Sequence, residues 1–332
     1  MTNAFRALCC VSPAILCCAT AFVVFLAVAK VGFAADGEST VAAHDEYVYM
    51  IRFSPDGQAM ATAAGDNTAV VWDWPKLKKQ HVLKHEAAVY AAAFSPDCRH
   101  VATASGDGFV TLWDTADGKL IRQEKQHADA VYCIDYSRDG SQLASIGGHG
   151  RKGDTTCRIW TVECLSIAQI YPGHDRPAYG VRFSRNGKDV ITSGGDKRIL
   201  VTALSSGESQ ELTEHTSDVY RFDVTTDGKF LASTSQDCSV RVWDLRAGKL
   251  IALLTESKDP TYDAAFSADG KQLAVVGDDG MVRFWRTTDY TLTHARQLAS
   301  EGLYAVAWTP NQQQVVAAGV DGKLYFTRLD TP

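Results

Sequence analysis

Positive charge is in short supply in this chain, and so are cysteine pairs and any helical rhythm. Its 332 residues hold 33 Lys and Arg against 39 Asp and Glu, a formal charge of −6. No basic stripe stands out, so the phosphate-neutralising surface of a nucleic-acid binder is not expected. Nine cysteines are present, but four of them (Cys9, Cys10, Cys17 and Cys18) sit close to the N terminus. The other five, Cys98, Cys133, Cys157, Cys164 and Cys238, are scattered and odd in number, which is no disulfide framework even if one bridge formed after export. No Cys-x-x-Cys or paired Cys/His spacing occurs, so neither structural zinc nor covalent haem is expected, and no cofactor is implied. No segment of useful length carries apolar residues at helical period.

Residues 1–34 differ in kind from the rest. Arg6 is followed by ALCCVSPAILCCATAFVVFLAVA over residues 7–29, then by Lys30 and VGFAADG. A basic start, an apolar run and small residues before Ala34 form an export signal, with cleavage expected near Ala34 and a periplasmic or extracellular product. The alternative is a retained anchor, because residues 7–29 are just long enough to span hydrocarbon. A membrane is implied only through this segment. The domain reading is therefore a signal or anchor at 1–34 and one folded body over 35–332.

That body repeats itself. From His44 onward, units begin at His44, His85, His127, His174 and His215, and then at Lys258 and Glu301 without the histidine. Each has a strand-like run, a turn such as SPDG or SADG, a second run, a tight turn containing Asp, and a third run often closing on Trp. Asp, Asn and Gly stand where such turns need a left-handed or side-chain-bonded residue. Runs such as Val110-Thr-Leu-Trp113 alternate and are rich in β-branched and aromatic residues. Short strands about ten residues apart with a period near 42 indicate an all-β protein of four-stranded units.

On these residues the chain resembles the WD-repeat (WD40) β-propeller family. The resemblance implies seven four-stranded antiparallel blades around a central channel, with non-catalytic recognition as the usual role. Six residues before each Trp position stand Asp66, Asp107, Asp154, Asp196, Asp237, Asp279 and Asp321. In the family this Asp joins a hydrogen-bond network with His, a hydroxyl and Trp. The corresponding sets here are His44, Thr62, Asp66, Trp72; His85, Thr103, Asp107, Trp113; His127, Ser145, Asp154, Trp160; and His215, Ser233, Asp237, Trp243. The fourth unit keeps His174, Thr192 and Asp196 but has Thr202 for Trp. The sixth keeps Asp279 and Trp285 with Val275 for the hydroxyl, and the seventh retains only Asp321.

A His, Ser and Asp together invite a catalytic reading. Four such sets at blade intervals would be four identical active sites, whereas a triad is one asymmetric site with an exposed nucleophile. A structural role is the expectation: closed networks that satisfy polar groups where blades meet.

The last unit stops three strands into a four-stranded blade. Residues 38–43, ESTVAA, precede the first unit and are expected to supply the missing outer strand, closing the ring and covering an edge. A second recurrent position carries Tyr49, Tyr90, Tyr132, Tyr179, Tyr220, Tyr262 and Tyr304. Each heads an apolar stripe such as Tyr49-Ile51-Phe53, which suits a core residue, while a rim of phenols at the channel mouth suits partner binding. The third unit carries an insertion, GGHGRKGD at 147–154, whose His149, Arg151 and Lys152 are candidate contacts to an acidic partner or simply surface. On the channel wall, Arg52, Asp135, Arg182, Arg221, Asp223 and Asp263 are expected to form solvated ion pairs. The function implied is a non-enzymatic scaffold binding a protein or peptide. The alternative is an exported enzyme or small-molecule binder using the channel.

Overall fold

A computed structural model describes residues 39–148 and 153–329 of the chain. Among the described residues all regular structure is strand, arranged as seven separate four-stranded antiparallel sheets. Blade one comprises Val48–Phe53, Ala59–Ala64, Thr68–Asp73 and Lys78–Lys84, and the pattern repeats through blade seven. The first strand of each blade lies innermost, and these inner strands pack side by side from Val48–Phe53 round to Leu303–Trp308, which returns against the first.

The expected closure is present. Ser39–Ala42 pairs antiparallel with the last strand, Ser39 opposite Phe326 and Ala42 opposite Lys323. Backbone amides of Ala43 and His44 then both donate to the carbonyl of Gly322, at 3.1 and 3.0 Å. The first and last described strands thus share one blade, and the edge of the final strand is covered.

The first turn of each blade shows why these short strands reverse where they do. In blade one, Ser54 Oγ donates to Asp56 at 2.6 Å and the amide of Gln58 donates to the same carboxylate at 3.0 Å. The same Ser/Thr–Asp/Asn pair recurs in every blade, down to Thr309 with Asn311 at 2.7 Å. In blade two Cys98 adopts the left-handed φ of 60° that Gly57 takes at 69° in blade one.

The core is the space between blades. Second strands such as Ala59–Ala64 are buried along their whole length, and Trp72, Trp160, Trp243 and Trp285 are the largest fully buried side chains. Small alanines beside large indoles let neighbouring blades approach closely.

Two expectations are corrected. The tyrosines do not share a stripe with the residue two positions on. Every inner strand carries a register shift at its tyrosine, as between Val48 and Met50 or between Leu303 and Ala305. Such a bulge inserts one unpaired residue and re-aims its side chain. Ile51 is consequently fully buried between blades, while Tyr49 is only half-buried. The last two units also begin one or two residues earlier than the sequence pattern suggested. The register that puts His44 22 residues before Asp66 puts Ser257 before Asp279 and Ala299 before Asp321.

Candidate interaction surface

Each Asp-bearing turn sits beside the start of an inner strand, since the amide of Gly65 donates to the carbonyl of Tyr47 at 2.8 Å and that of Gly106 to Ala88 at 2.8 Å. The two sets of loops therefore form one face. Behind it lie the polar sets. In blade one, His44 Nδ1 lies 2.9 Å from Asp66, its Nε2 lies 2.7 Å from Thr62 Oγ1, and Trp72 Nε1 donates to that hydroxyl at 2.9 Å. Blade five repeats this with His215, Asp237, Ser233 and Trp243 at 2.9, 2.7 and 2.9 Å.

The other blades are partial versions. In blade two, Thr103 joins His85 at 3.0 Å and Trp113 at 2.8 Å, while Asp107 accepts from Ser105 Oγ at 2.6 Å. In blade three, His127 and Trp160 meet Ser145 at 2.7 and 2.8 Å, but Asp154 stands 3.5 Å from His127 and takes Arg158 at 2.5 Å. Blade four joins His174 to Asp196 at 2.8 Å and to Thr192 at 3.0 Å. In blade six Asp279 takes Arg283 at 2.5 Å, and the buried Trp285 Nε1 has no acceptor. Blade seven gives Asp321 the hydroxyl of Tyr325 at 2.6 Å.

Burial dominates the electrostatics of these sets. It lowers the pKa of His44, His127 and His215 and brings His85 down to about 4, with the neighbouring aspartates opposing the shift. Burial alone would raise the turn carboxylates. Hydrogen bonds from hydroxyl, histidine and backbone groups instead hold Asp66, Asp154, Asp196 and Asp237 below the usual range. Ser145 and Ser233 are fully buried, so neither hydroxyl is open to a substrate.

In front of the polar sets stand the seven tyrosines. Their rings form an unbroken circle: successive centroids from Tyr49 through Tyr90, Tyr132, Tyr179, Tyr220 and Tyr262 to Tyr304 are 5.0, 4.8, 5.7, 5.4, 5.2 and 4.7 Å apart. Tyr304 returns to Tyr49 at 6.1 Å. The circle encloses a cup of about 170 Å³, whose remaining lining residue is Arg221. Tyr47, 45% exposed, stands edge-on to both Tyr49 and Tyr304 at the rim.

Rim side chains, two of them acids, hold three of the hydroxyls. Tyr179 donates to Asp218 at 3.3 Å, Tyr262 to Asp278 at 3.1 Å, and Tyr220 to Gln236. Burial, reinforced by neighbouring phenols and acids, raises the phenol pKa to about 12 at Tyr49 and Tyr220. Every loop entering an inner strand carries an acid: Asp45 and Glu46, Glu86, Asp129, Asp175, Asp218, Asp259 and Glu301, against only Arg176 and Lys258 as bases. His149, Arg151 and Lys152 lie outside the described residues, as does the segment 1–34 expected to be a signal or anchor.

Deeper in the channel, one of the expected ion pairs among the six charged side chains is made. The direct pair is Arg182 with Asp223 at 2.5 Å. The three carboxylates also reach to the next blade: Asp135 accepts from the amide of Phe183 at 3.0 Å, Asp223 from Phe266 at 2.7 Å and Asp263 from Val306 at 3.1 Å. Inner strands have a free edge facing the channel, and these carboxylates satisfy its amides. Burial raises the pKa of Asp135 and Asp263, with the arginines opposing it. Among the described residues no three His, Cys, Asp or Glu side chains gather as metal ligands would, and no helix is long and apolar enough to cross a membrane.

The profile of the family described as WD domain, G-beta repeat matches residues 38–73, 77–114, 118–161, 165–201, 207–244 and 248–286. The chain belongs to the WD40 family. Each matched WD40 segment starts on the outer strand of one blade and runs through three strands of the next, the offset that makes the closing strand necessary. The three inner strands of blade seven, which carries the most altered polar set, lie beyond the matched segments.

The chain is 31% identical to the nuclear distribution protein PAC1 of Arthroderma benhamiae over 224 residues, 64% of this chain and 38% of that protein. It is 29% identical to autophagy-related protein 16 of Arabidopsis thaliana over 128 residues, 36% of this chain and 24% of the relative. It is 22% identical to apoptotic protease-activating factor 1 of Danio rerio over 212 residues, 63% of this chain and 16% of the relative. The WD40 chain thus spans well under half the length of these curated relatives.

Proposed function

We propose that this WD40 protein is a non-enzymatic scaffold whose tyrosine-bearing face binds a protein or peptide partner. The observation that carries the reading is the closed circle of seven phenols around an open cup. Rings with few rotatable bonds, an apolar body and a polar tip are the usual anchors of interfaces. The sequestered serines and histidines tie each incoming loop to the second and third strands of its own blade, and Ser145 and Ser233 are closed to a substrate. The acidic rim favours a basic peptide over nucleic acid, whose phosphates it repels. We further propose export, or anchoring through residues 7–29, on the strength of the basic start and apolar run.

Affinity capture of the mature chain from its native envelope, with mass spectrometry of bound protein and of the chain itself, supplies the partner and the leader's fate. Against that partner, Tyr49→Ala and Tyr262→Ala are expected to weaken binding more than tenfold, and Tyr262→Phe less. Alanine variants that lose thermal stability yet bind with parental affinity would reduce the tyrosines to core packing.

A further inference from the structure

The channel has a second mouth, at the far end from the tyrosines, and it is less symmetrical. Five of the seven turns there carry Pro, Thr or Ala at their second position. Only the adjoining blades three and four carry arginine, Arg138 and Arg185. Neighbouring turns commonly touch through this residue: a Cβ on Gly57 would stand 2.9 Å from Pro310, and one on Gly228 2.9 Å from the Cβ of Arg185. By that pattern Gly187 should meet Arg138, yet a Cβ there would find nothing within 4 Å. Arg138 is therefore not packed onto the next turn. Both arginines line one cavity of about 380 Å³ at the mouth, together with Arg182. Cavities of roughly 300–1,000 Å³ are the size that holds small ligands.

The charge around this cavity is out of keeping with the chain. Its lining has three arginines against two aspartates, Asp135 and Asp223, a local balance of +1 in a protein of net charge −6. Asp223 is committed at both oxygens, to Arg182 at 2.5 Å and to the amide of Phe266 at 2.7 Å. Asp135 accepts from the amide of Phe183 at 3.0 Å. The turn carboxylates are occupied locally: Asp139 accepts from Ser137 and Ser141 at 2.7 and 2.8 Å, and Asp227 takes Lys229 at 3.0 Å. Arg138 and Arg185 are both exposed and, among the described residues, form no ion pair. An unpaired guanidinium presents a planar fork of donors that fits carboxylate or phosphate oxygens. A neutral ligand would leave both forks unmet, and a cation would be repelled.

We propose that this cavity binds a small organic anion with two oxyanion groups, carboxylate or phosphate, one taken by Arg138 and the other by Arg185. The site lies at the opposite end of the channel from the tyrosine face and does not depend on the scaffold reading. Each charge-assisted contact is worth about a factor of ten in affinity, which sets the expected discrimination.

The test titrates the full propeller calorimetrically with succinate, 2-phosphoglycolate, butyrate, succinamide and 1,4-diaminobutane. Succinate or 2-phosphoglycolate is expected to bind about tenfold more tightly than butyrate, and more tightly still than the neutral or cationic compound. Whichever of the two binds better distinguishes a second carboxylate from a phosphate. Arg138→Gln and Arg185→Gln should each weaken that ligand about tenfold. Lys271→Gln, which removes a charge paired with Asp269 in the turn of blade six, should not. Binding of butyrate or succinamide as tight as that of the dianions, equal losses in all three variants, or no binding of either dianion overturns the assignment. Tyr262→Ala should leave anion binding unchanged, so this result stands apart from the fate of the tyrosine face.

Discussion

Val275→Thr should stabilise the protein, although it places a hydroxyl in a buried site. In blades one, two, three and five the hydroxyl at this position accepts the indole N–H of the following Trp at 2.8–2.9 Å. Blade six has Val275 there, and its Trp285 Nε1 is buried without an acceptor. A threonine would supply one. Its own proton also has a destination, since Thr103 donates to the carbonyl of Thr111 at 3.5 Å and Ser233 to that of Arg241 at 3.4 Å, the position Arg283 occupies in blade six. Meeting one orphaned donor is worth about 1 kcal/mol, a rise of roughly 2–4 °C in Tm for a domain of a few hundred residues. The control is Val282→Thr, a fully buried position that is apolar in all seven blades. An unpartnered hydroxyl there should cost about 1–3 kcal/mol. Thermal unfolding followed by circular dichroism compares the two. Equal losses of Tm for Val275→Thr and Val282→Thr would refute the reasoning.

The opposite change, Thr103→Val, strands both Trp113 Nε1 and His85 Nε2 and should cost about 2–5 kcal/mol by urea unfolding. Acid should weaken the ring in two stages. His85 titrates near 4 when folded and near 6.5 when unfolded, so the unfolded chain binds the proton first. Its contribution is intact above pH 6.5 and falls by about 3 kcal/mol as pH drops towards 4. The depressed turn aspartates extend the loss below that, and a urea midpoint flat from pH 7 to pH 4 would contradict the burial. Deleting residues 36–43 removes the strand that covers Lys323–Arg328 and should give aggregated, protease-sensitive material. A deletion variant as monodisperse and resistant as the parent would overturn closure by this strand.

Most of the fold could be read from spacing, because a propeller writes its symmetry into the chain. The aspartate six residues before each Trp position fixed the blade count even where Trp had become Thr202 or Thr327. The closing strand followed from the unit that ended early. What escaped was set by geometry that spacing does not carry. The bulge at each tyrosine leaves no gap in the sequence, so counting through Tyr49-Ile51-Phe53 drew one continuous stripe where the structure sets the ring apart from Ile51. Without a histidine to mark them, Ser257 and Ala299 were passed over as unit starts. The contact of Arg221 with Tyr90 was hidden because the two meet only when the circle brings blade five opposite blade two. Channel carboxylates seemed to want arginines, but the stronger demand came from unpaired amides on the next inner strand.

Photo-crosslinking inside the native host tests most directly whether the phenol face is where partners bind. A benzophenone amino acid placed at Tyr47, on the rim of the cup, is compared with one at Arg138 in the turn at the far end of blade three's inner strand. A single protein adduct at Tyr47, absent at Arg138 and lost when Tyr262→Ala is added, is the expected result. Adducts at Arg138 alone, or a Tyr47 adduct untouched by Tyr262→Ala, would contradict it.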